Sequence, residues 1–310
     1  LIYTITLNPA IDLFIDTEKM EPNIVNRTKK YDIQANGKGI NVSFILKELN
    51  VASTAVGVGN GFTVKYIQDE LQRSQIAHYF VESRGITRIN VFTRVKKGDK
   101  EYKLVNPGPA VELGEQKKLL QYLKAKLGKN DVICISGSFS QGIDPKILIK
   151  FAEIAVTKNA KLVIDTSYQE VMDVLKYHPW IIKPNVDEIK SWFKITETLN
   201  LKQLAKLGQR LIDQGAQLVL ISLGGDGAIL VSRDRVFYGN APKIKVLNTA
   251  GAGDSMLGTF IGNLSKHIDT ITALKRAIAA GSDAARQEWI TDFTTAEELE
   301  NEIQIEDMAL

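Results

Sequence analysis

With 310 residues, 44% of them hydrophobic, the chain is long enough for a large core plus a small accessory unit, arranged as one domain or two. Lys and Arg number 39 against 36 Asp and Glu, and a formal net charge of +3, evenly spread, excludes a nucleic-acid surface. A single cysteine excludes an intrachain disulfide, three dispersed histidines argue against a zinc site, and no apolar run approaches membrane-spanning length.

Short apolar runs alternate with amphipathic stretches along the chain. Strands are expected at residues 2–7, 52–58, 132–135, 162–165, 180–183, 218–222 and 228–231, and helices within 111–127, 146–156, 201–214 and 270–286. That order predicts an α/β fold, a mostly parallel sheet covered by helices on both faces. Residues 11–33 and 88–104 break the rhythm, because they read as strands without helices between them, with Lys96-Lys97-Gly98-Asp99-Lys100 as a hairpin turn. Cys134, inside the apolar run 131–135, reads as a buried strand thiol. The opening residues lack a charged region followed by an apolar core, so no signal peptide is expected and a cytoplasmic enzyme is. From residue 297 the chain is acidic and is expected to end as a surface helix.

Thr249-Ala250-Gly251-Ala252-Gly253-Asp254-Ser255 carries the most chemical information. Met256, Leu257, Phe260, Ile261 and Leu264 repeat at helical spacing behind it, so the glycines fall where the first N–H groups of a helix have no partner. Those donors and the helix dipole favour an anion, and the absence of side chains at Gly251 and Gly253 lets a phosphoryl group approach the backbone. Asp254 is poorly placed to bind a phosphate and well placed to accept a proton from a hydroxyl attacking it. Its helix-start position predicts stabilisation as a carboxylate, hence a weak base. A capped helix after a glycine turn is the structural alternative.

A second helix start, Asn36-Gly37-Lys38-Gly39-Ile40-Asn41-Val42, continues through Ile45, Leu46 and Leu49. It is not a Walker A loop, because Gly39 stands where Ser or Thr should follow Gly-Lys, and Gly57-Val58-Gly59 is not a dinucleotide fingerprint, because Phe62 replaces its third glycine. Lys183-Pro184-Asn185, with Glu188 three residues after Asn185, makes a good helix cap by itself. Ser222-Leu223-Gly224-Gly225-Asp226-Gly227 makes a good turn between strands.

These segments, together with Thr6-Leu7-Asn8-Pro9-Ala10-Ile11-Asp12, Gly85-Ile86-Thr87-Arg88-Ile89-Asn90 and Ser136-Gly137-Ser138, occur in an order that resembles the PfkB (ribokinase-like) carbohydrate kinases. The branch most similar contains 1-phosphofructokinase and tagatose-6-phosphate kinase. Asn36 departs from it, standing where the family usually has Gly or Ala.

The resemblance implies a ribokinase-like three-layer sandwich over residues 1–310, with a small β lid from about 11–33 and 88–104 that closes on the sugar and mediates a homodimer. It implies ATP and Mg2+, with a monovalent cation possible, and ATP-dependent phosphorylation of a ketohexose phosphate, fructose 1-phosphate before tagatose 6-phosphate. Asp254 is then the base and Gly251, Ala252 and Gly253 hold the transferring phosphate. Asp12, Arg27, Gly37, Lys38, Asn41, Arg88, Ser136 and Gly137 are implied on the sugar-phosphate side. Lys183, Asn185, Ser222, Gly224, Gly227 and Ser282 are implied on the nucleotide side, with Glu188 reaching the metal through water. A catalytically silent sugar-phosphate sensor is the reading from another class, and the intact Lys38 and Gly251 to Asp254 set speaks against it.

Overall fold

Alternate residues of the central strands serve two different apolar clusters, which is why those strands read as unbroken hydrophobic runs. Ile133 and Ile135 join Tyr3, Ile5, Val56 and Ile164 in one cluster, while Val132 and Cys134 join Ile2, Val163 and Leu220 in the other. The computed structural model describes residues 1–309.

The first half contains β1 (Ile2–Thr6), β2 (Ala10–Thr17), β3 (Lys30–Asn36), α1 (Lys38–Glu48), β4 (Ser53–Gly59), α2 (Gly61–Arg73), β5 (Ala77–Glu82), β6 (Arg88–Val95), β7 (Lys100–Leu104) and α3 (Leu113–Lys126). Then come β8 (Val132–Ser136), α4 (Ile147–Lys158), β9 (Lys161–Asp165), α5 (Val171–Val174), β10 (Ile181–Ile182), α6 (Val186–Trp192), α7 (Leu201–Asp213) and β11 (Leu218–Ser222). The chain closes with β12 (Ala228–Val231), β13 (Val236–Gly239), α8 (Ala252–Ser265), α9 (Thr270–Ala285), α10 (Ala296–Asn301) and β14 (Ile305–Asp307).

Ten strands form one sheet in the order β14-β13-β12-β11-β10-β9-β8-β1-β4-β5, parallel from β5 to β11 and antiparallel beyond. Residues of α3, α4, α5, α6 and α7 pack on one face, and residues of α1, α8, α9 and α10 on the other, giving three layers. Burial pushes the Cys134 thiol up to about 12, so it stays protonated inside the sheet.

A separate four-stranded sheet, ordered β3-β2-β6-β7, fits a lid. Its central pair β2–β6 is parallel and its outer pairs antiparallel. Ile11 and Ala35 anchor its base among Ile40 of α1 and Ile67 and Leu71 of α2. Two details differ from the sequence reading. Residues 18–29 are a loop, folded by Asn26, whose side chain accepts from Glu21 N at 2.9 Å and donates to Glu21 O at 2.8 Å. The acidic C-terminus is helical only to Asn301, and β14 then joins the sheet edge beside β13, with Ile303 buried just before it.

Gly39 sets the height at which α1 sits on β1. A Cβ there would lie 2.6 Å from Thr6 Oγ1 and 2.8 Å from the Ile5 carbonyl oxygen, so no side chain fits. Gly39→Ala should therefore destabilise the fold by about 1–3 kcal/mol through overpacking. Urea unfolding checks this, and a loss under about 0.5 kcal/mol, typical of an unconstrained surface site, would contradict the packing.

Candidate active site

Loops leaving the carboxyl ends of β1, β8 and β9 meet the inner face of the lid, the place where open α/β sheets bind ligands. They enclose a cavity of about 410 Å³ lined by Asn8, Asp12, Asn36, Gly37, Lys38, Arg88, Asn90, Ser136, Gly137, Ser138, Thr166 and Glu188, among others. That volume suits a small polar molecule. Seven of the residues singled out in the sequence, Asp12, Gly37, Lys38, Arg88, Ser136, Gly137 and Glu188, thus come together in one cavity.

Asp12 forms the hydrogen-bonding hub of the lid end. Its Oδ1 accepts from Asn90 Nδ2 at 2.8 Å and its Oδ2 accepts from Asn36 Nδ2. Burial raises its pKa, and the two amides and the nearby Arg88 guanidinium oppose that rise. Arg88 is fixed by donating from Nη2 to the Asn8 carbonyl at 3.1 Å and from Nη1 to the Asn106 carbonyl at 3.3 Å. Gly137 has a left-handed φ of 91°, and a Cβ on it would lie 3.4 Å from the Lys38 side chain. The stem of Lys38 runs past it.

Asp165, at the end of β9, is the group that motif reading missed. Its carboxylate is buried between two cations, with Oδ1 at 3.1 Å from Lys183 Nζ and Oδ2 at 3.4 Å from Lys38 Nζ. Burial alone would raise its pKa, but Lys183 and Lys38 outweigh that and hold it below the ordinary carboxylate value. Lys38 is correspondingly raised, chiefly by Asp165. Lys183 has a second neighbour, since a Cβ on Gly253 would stand 3.4 Å from its Nζ. Lys38 and Lys183 therefore share one carboxylate.

At the start of α8, Gly251 is the N-cap with a left-handed φ of 80°, and Ser255 N closes the first helical bond on the Gly251 carbonyl at 2.8 Å. The amides of Gly253 and Asp254, which precede that bond, have no partner among the described residues. Asp254 is 5% exposed, and neither it nor the buried Asn41 lines the cavity; Asn41 Nδ2 donates to Asp254 Oδ2 at 2.8 Å. Here the expected direction of the shift is corrected: burial raises the Asp254 pKa, and Lys38 only partly opposes the rise.

Asn185 and Glu188 form a complete capping box on α6, at 2.8 and 2.9 Å, so the structural reading of that motif holds. Ser222 lies beside Asn185 through a β-bridge. A side chain on Gly224 would meet open space, whereas a Cβ on Gly227 would lie 1.9 Å from the Gly239 carbonyl oxygen. Gly227 is thus required by strand packing rather than by room for a ligand. Ser282 is buried on α9, next to Gly281, whose Cβ would touch the Ala252 carbonyl at 3.2 Å. Arg27 is not brought to the cavity; it is exposed in the lid loop.

Among the described residues no three His, Cys, Asp or Glu side chains form a cage for a metal ion. The donor set fits magnesium held chiefly by phosphates and water, with Glu188 at the cavity wall, because that ion keeps much of its hydration.

A model of the pfkB family carbohydrate kinases matches residues 4–291. D-tagatose-1-phosphate kinase of Bacillus licheniformis is 39% identical over 98% of this chain and 99% of its own length. 1-Phosphofructokinase of Bacillus subtilis is 32% identical over the same shares. Phosphofructokinase-2 of Escherichia coli, solved in complex with potassium, superposes with a TM-score of 0.89 at 25% identity, covering 97% of this chain and 98% of that one.

Proposed function

The chain belongs to the pfkB family of carbohydrate kinases, and we propose that it transfers the γ-phosphoryl group of MgATP to the 6-hydroxyl of a ketohexose 1-phosphate, fructose 1-phosphate above all. The observation that carries this reading is the composition of one cavity. Asp12 and Asn90 suit sugar hydroxyls, while Arg88 and Ser138 suit a phosphate, and a sugar phosphate needs both. Tagatose 1-phosphate is the second reading, favoured by the higher identity to the kinase named for it.

In this reading ATP lies over the C-terminal half near Asn185, Ser222 and Gly224, with its γ-phosphoryl group at the Gly253 and Asp254 amides beside Lys183. Asp254 accepts the proton of the attacking hydroxyl. Asn41 occupies Oδ2, which leaves Oδ1 for that proton. The transition state is loose, so placing Lys38 and Lys183 about the transferring group contributes more than basicity does. Glu188 would hold magnesium through water, and the ion would neutralise charge on the ATP phosphates. A lid closed over the cavity excludes water that would otherwise accept the phosphoryl group.

Phosphorus NMR of the reaction mixture tests the reading: fructose 1-phosphate should yield the 1,6-bisphosphate with one ADP per sugar. No sugar-dependent ADP would instead favour the silent sensor. Arg88→Ala should weaken the sugar phosphate far more than ATP, by about 1.5–3 kcal/mol for a lost charge-assisted bond. Equal losses in titrations of the two ligands would move Arg88 to the nucleotide side.

The lid also suits a second copy of the chain. Register puts Leu13, Ile33, Val91 and Leu104 on one sheet face with Ile15, Tyr31 and Tyr102, and Tyr31 is 67% and Leu104 61% exposed. An apolar face of this kind favours a symmetric homodimer. Sedimentation at micromolar concentration should show a dimer, and a monomeric mass would contradict it.

A further inference from the structure

We propose that Asn36 is a positioning residue for the transfer, its carboxamide tying Asp12, the acceptor of sugar hydroxyls, to Asn41, the donor on Asp254, so that a seated sugar and an oriented base form one hydrogen-bonded unit. The inference rests on the kinase reading above and adds a role that no motif assigns.

Asn36 ends β3 at the turn into α1. Its Oδ1 accepts from Gly37 N at 2.6 Å and from Asn41 Nδ2 at 2.9 Å, while its Nδ2 donates to Asp12 Oδ2. Asn41 Nδ2 also donates to Asp254 Oδ2 at 2.8 Å. On the far side, Asn90 donates to Asp12 Oδ1 at 2.8 Å, and Asn90 Oδ1 accepts from Asn106 N at 3.1 Å. The path runs without a break from the lid strands β6, β2 and β3 to the core helices α1 and α8.

Polarity fixes every link. Rotating the Asn36 amide by half a turn would set its oxygen against the Asp12 carboxylate and its NH₂ against two other donors. Rotating Asn41 would set its oxygen against Asp254. Because Asp12 and Asp254 are both buried, these bonds form in a poorly solvated site where losing one is costly. Lys38 from α1, Lys183 after β10 and Asp165 from β9 are the charged groups around Asp254, and Asn41 is the neutral donor that selects which of its oxygens stays free.

The test uses the full chain with Asn36→Ala and Asn36→Gly, varying fructose 1-phosphate and MgATP independently. Expected are a kcat lowered by about 10-fold and a sugar-phosphate KM raised by about threefold or more, with the ATP KM within about twofold. The acid limb of kcat should also move to higher pH, because Asn41 is no longer held on the Asp254 carboxylate. A role confined to folding would move neither the pH limb nor the KM of one substrate alone. Asn36→Asp, which can still accept from Gly37 N and Asn41 Nδ2 but sets a second carboxylate against Asp12, should raise the sugar-phosphate KM more than it lowers kcat, and it serves if the smaller variants do not fold. Folded variants with wild-type kcat and pH limb would overturn the inference alone. A wild-type protein forming no ADP with any ketohexose phosphate would overturn the kinase reading and this inference with it.

Discussion

Asp254→Asn should lower kcat by about 100-fold or more while leaving both KM values within about threefold, because it removes proton acceptance and keeps the shape of the side chain. The motivation is a carboxylate at the third residue of α8, beside two unpartnered amides and oriented by Asn41. The pH profile gives an independent check. Burial raises the Asp254 pKa, so the acid limb of kcat should lie above the ordinary range near 3.9, and the asparagine variant should lack it. Stability carries the opposite sign. A raised folded-state pKa means that the folded protein prefers the neutral acid, so ionisation costs stability as pH rises through that value. Asparagine removes the cost, and Tm at neutral pH should be unchanged or higher. Near-normal turnover would remove Asp254 from the role of base, and a clear loss of Tm would contradict the raised pKa.

Asp165→Asn should be severe in both stability and rate. Lys183 and Asp165 are 4% and 1% exposed, and removing one charge of a buried pair leaves the other uncompensated, a loss of about 3–5 kcal/mol. The variant should also turn over about 100-fold more slowly when assayed well below its Tm, since Lys38 and Lys183 lose their common anchor. Because the folded-state pKa of Asp165 is lowered, its contribution to stability is complete above the unfolded value near 3.9. It is lost only as pH falls through the lower folded value, so neutral-pH assays see all of it. Combining Asp165→Asn with Lys183→Met should restore much of the stability and none of the rate. A single variant that folds and turns over normally would show that the lysines hold their places without it.

What could be read from the chain and what could not divides along physical lines. Gly251 to Asp254 and Gly37 to Asn41 were legible because a glycine-rich entry into a periodic helix leaves a signature within a few neighbouring residues. The helix over 201–214 was legible from its apolar periodicity. Asp165 was not, because its meaning comes from Lys38 and Lys183, distant in sequence and brought to it only by parallel strand order. The available signal was weak: an ionisable residue ending the apolar run Leu162-Val163-Ile164 at a strand's carboxyl end. Asn36 was noticed as a departure without a role, since its partners Asp12 and Asn41 meet it only once the lid is folded. The direction of the Asp254 shift was misjudged because the helix-start effect can be read locally and burial cannot. The C-terminal strand was missed because three residues, Ile305–Asp307, are too few to show a period of two.

The central claim is most directly tested by kcat/KM at saturating MgATP for fructose 1-phosphate, tagatose 1-phosphate, fructose 6-phosphate and tagatose 6-phosphate. Fructose 1-phosphate should lead the 6-phosphates by about 10-fold or more, because a 6-phosphate blocks the hydroxyl assigned to attack, and it should also lead its 1-phosphate epimer. ADP formation that ignores all four sugars, or a clear preference for a 6-phosphate, would contradict the account.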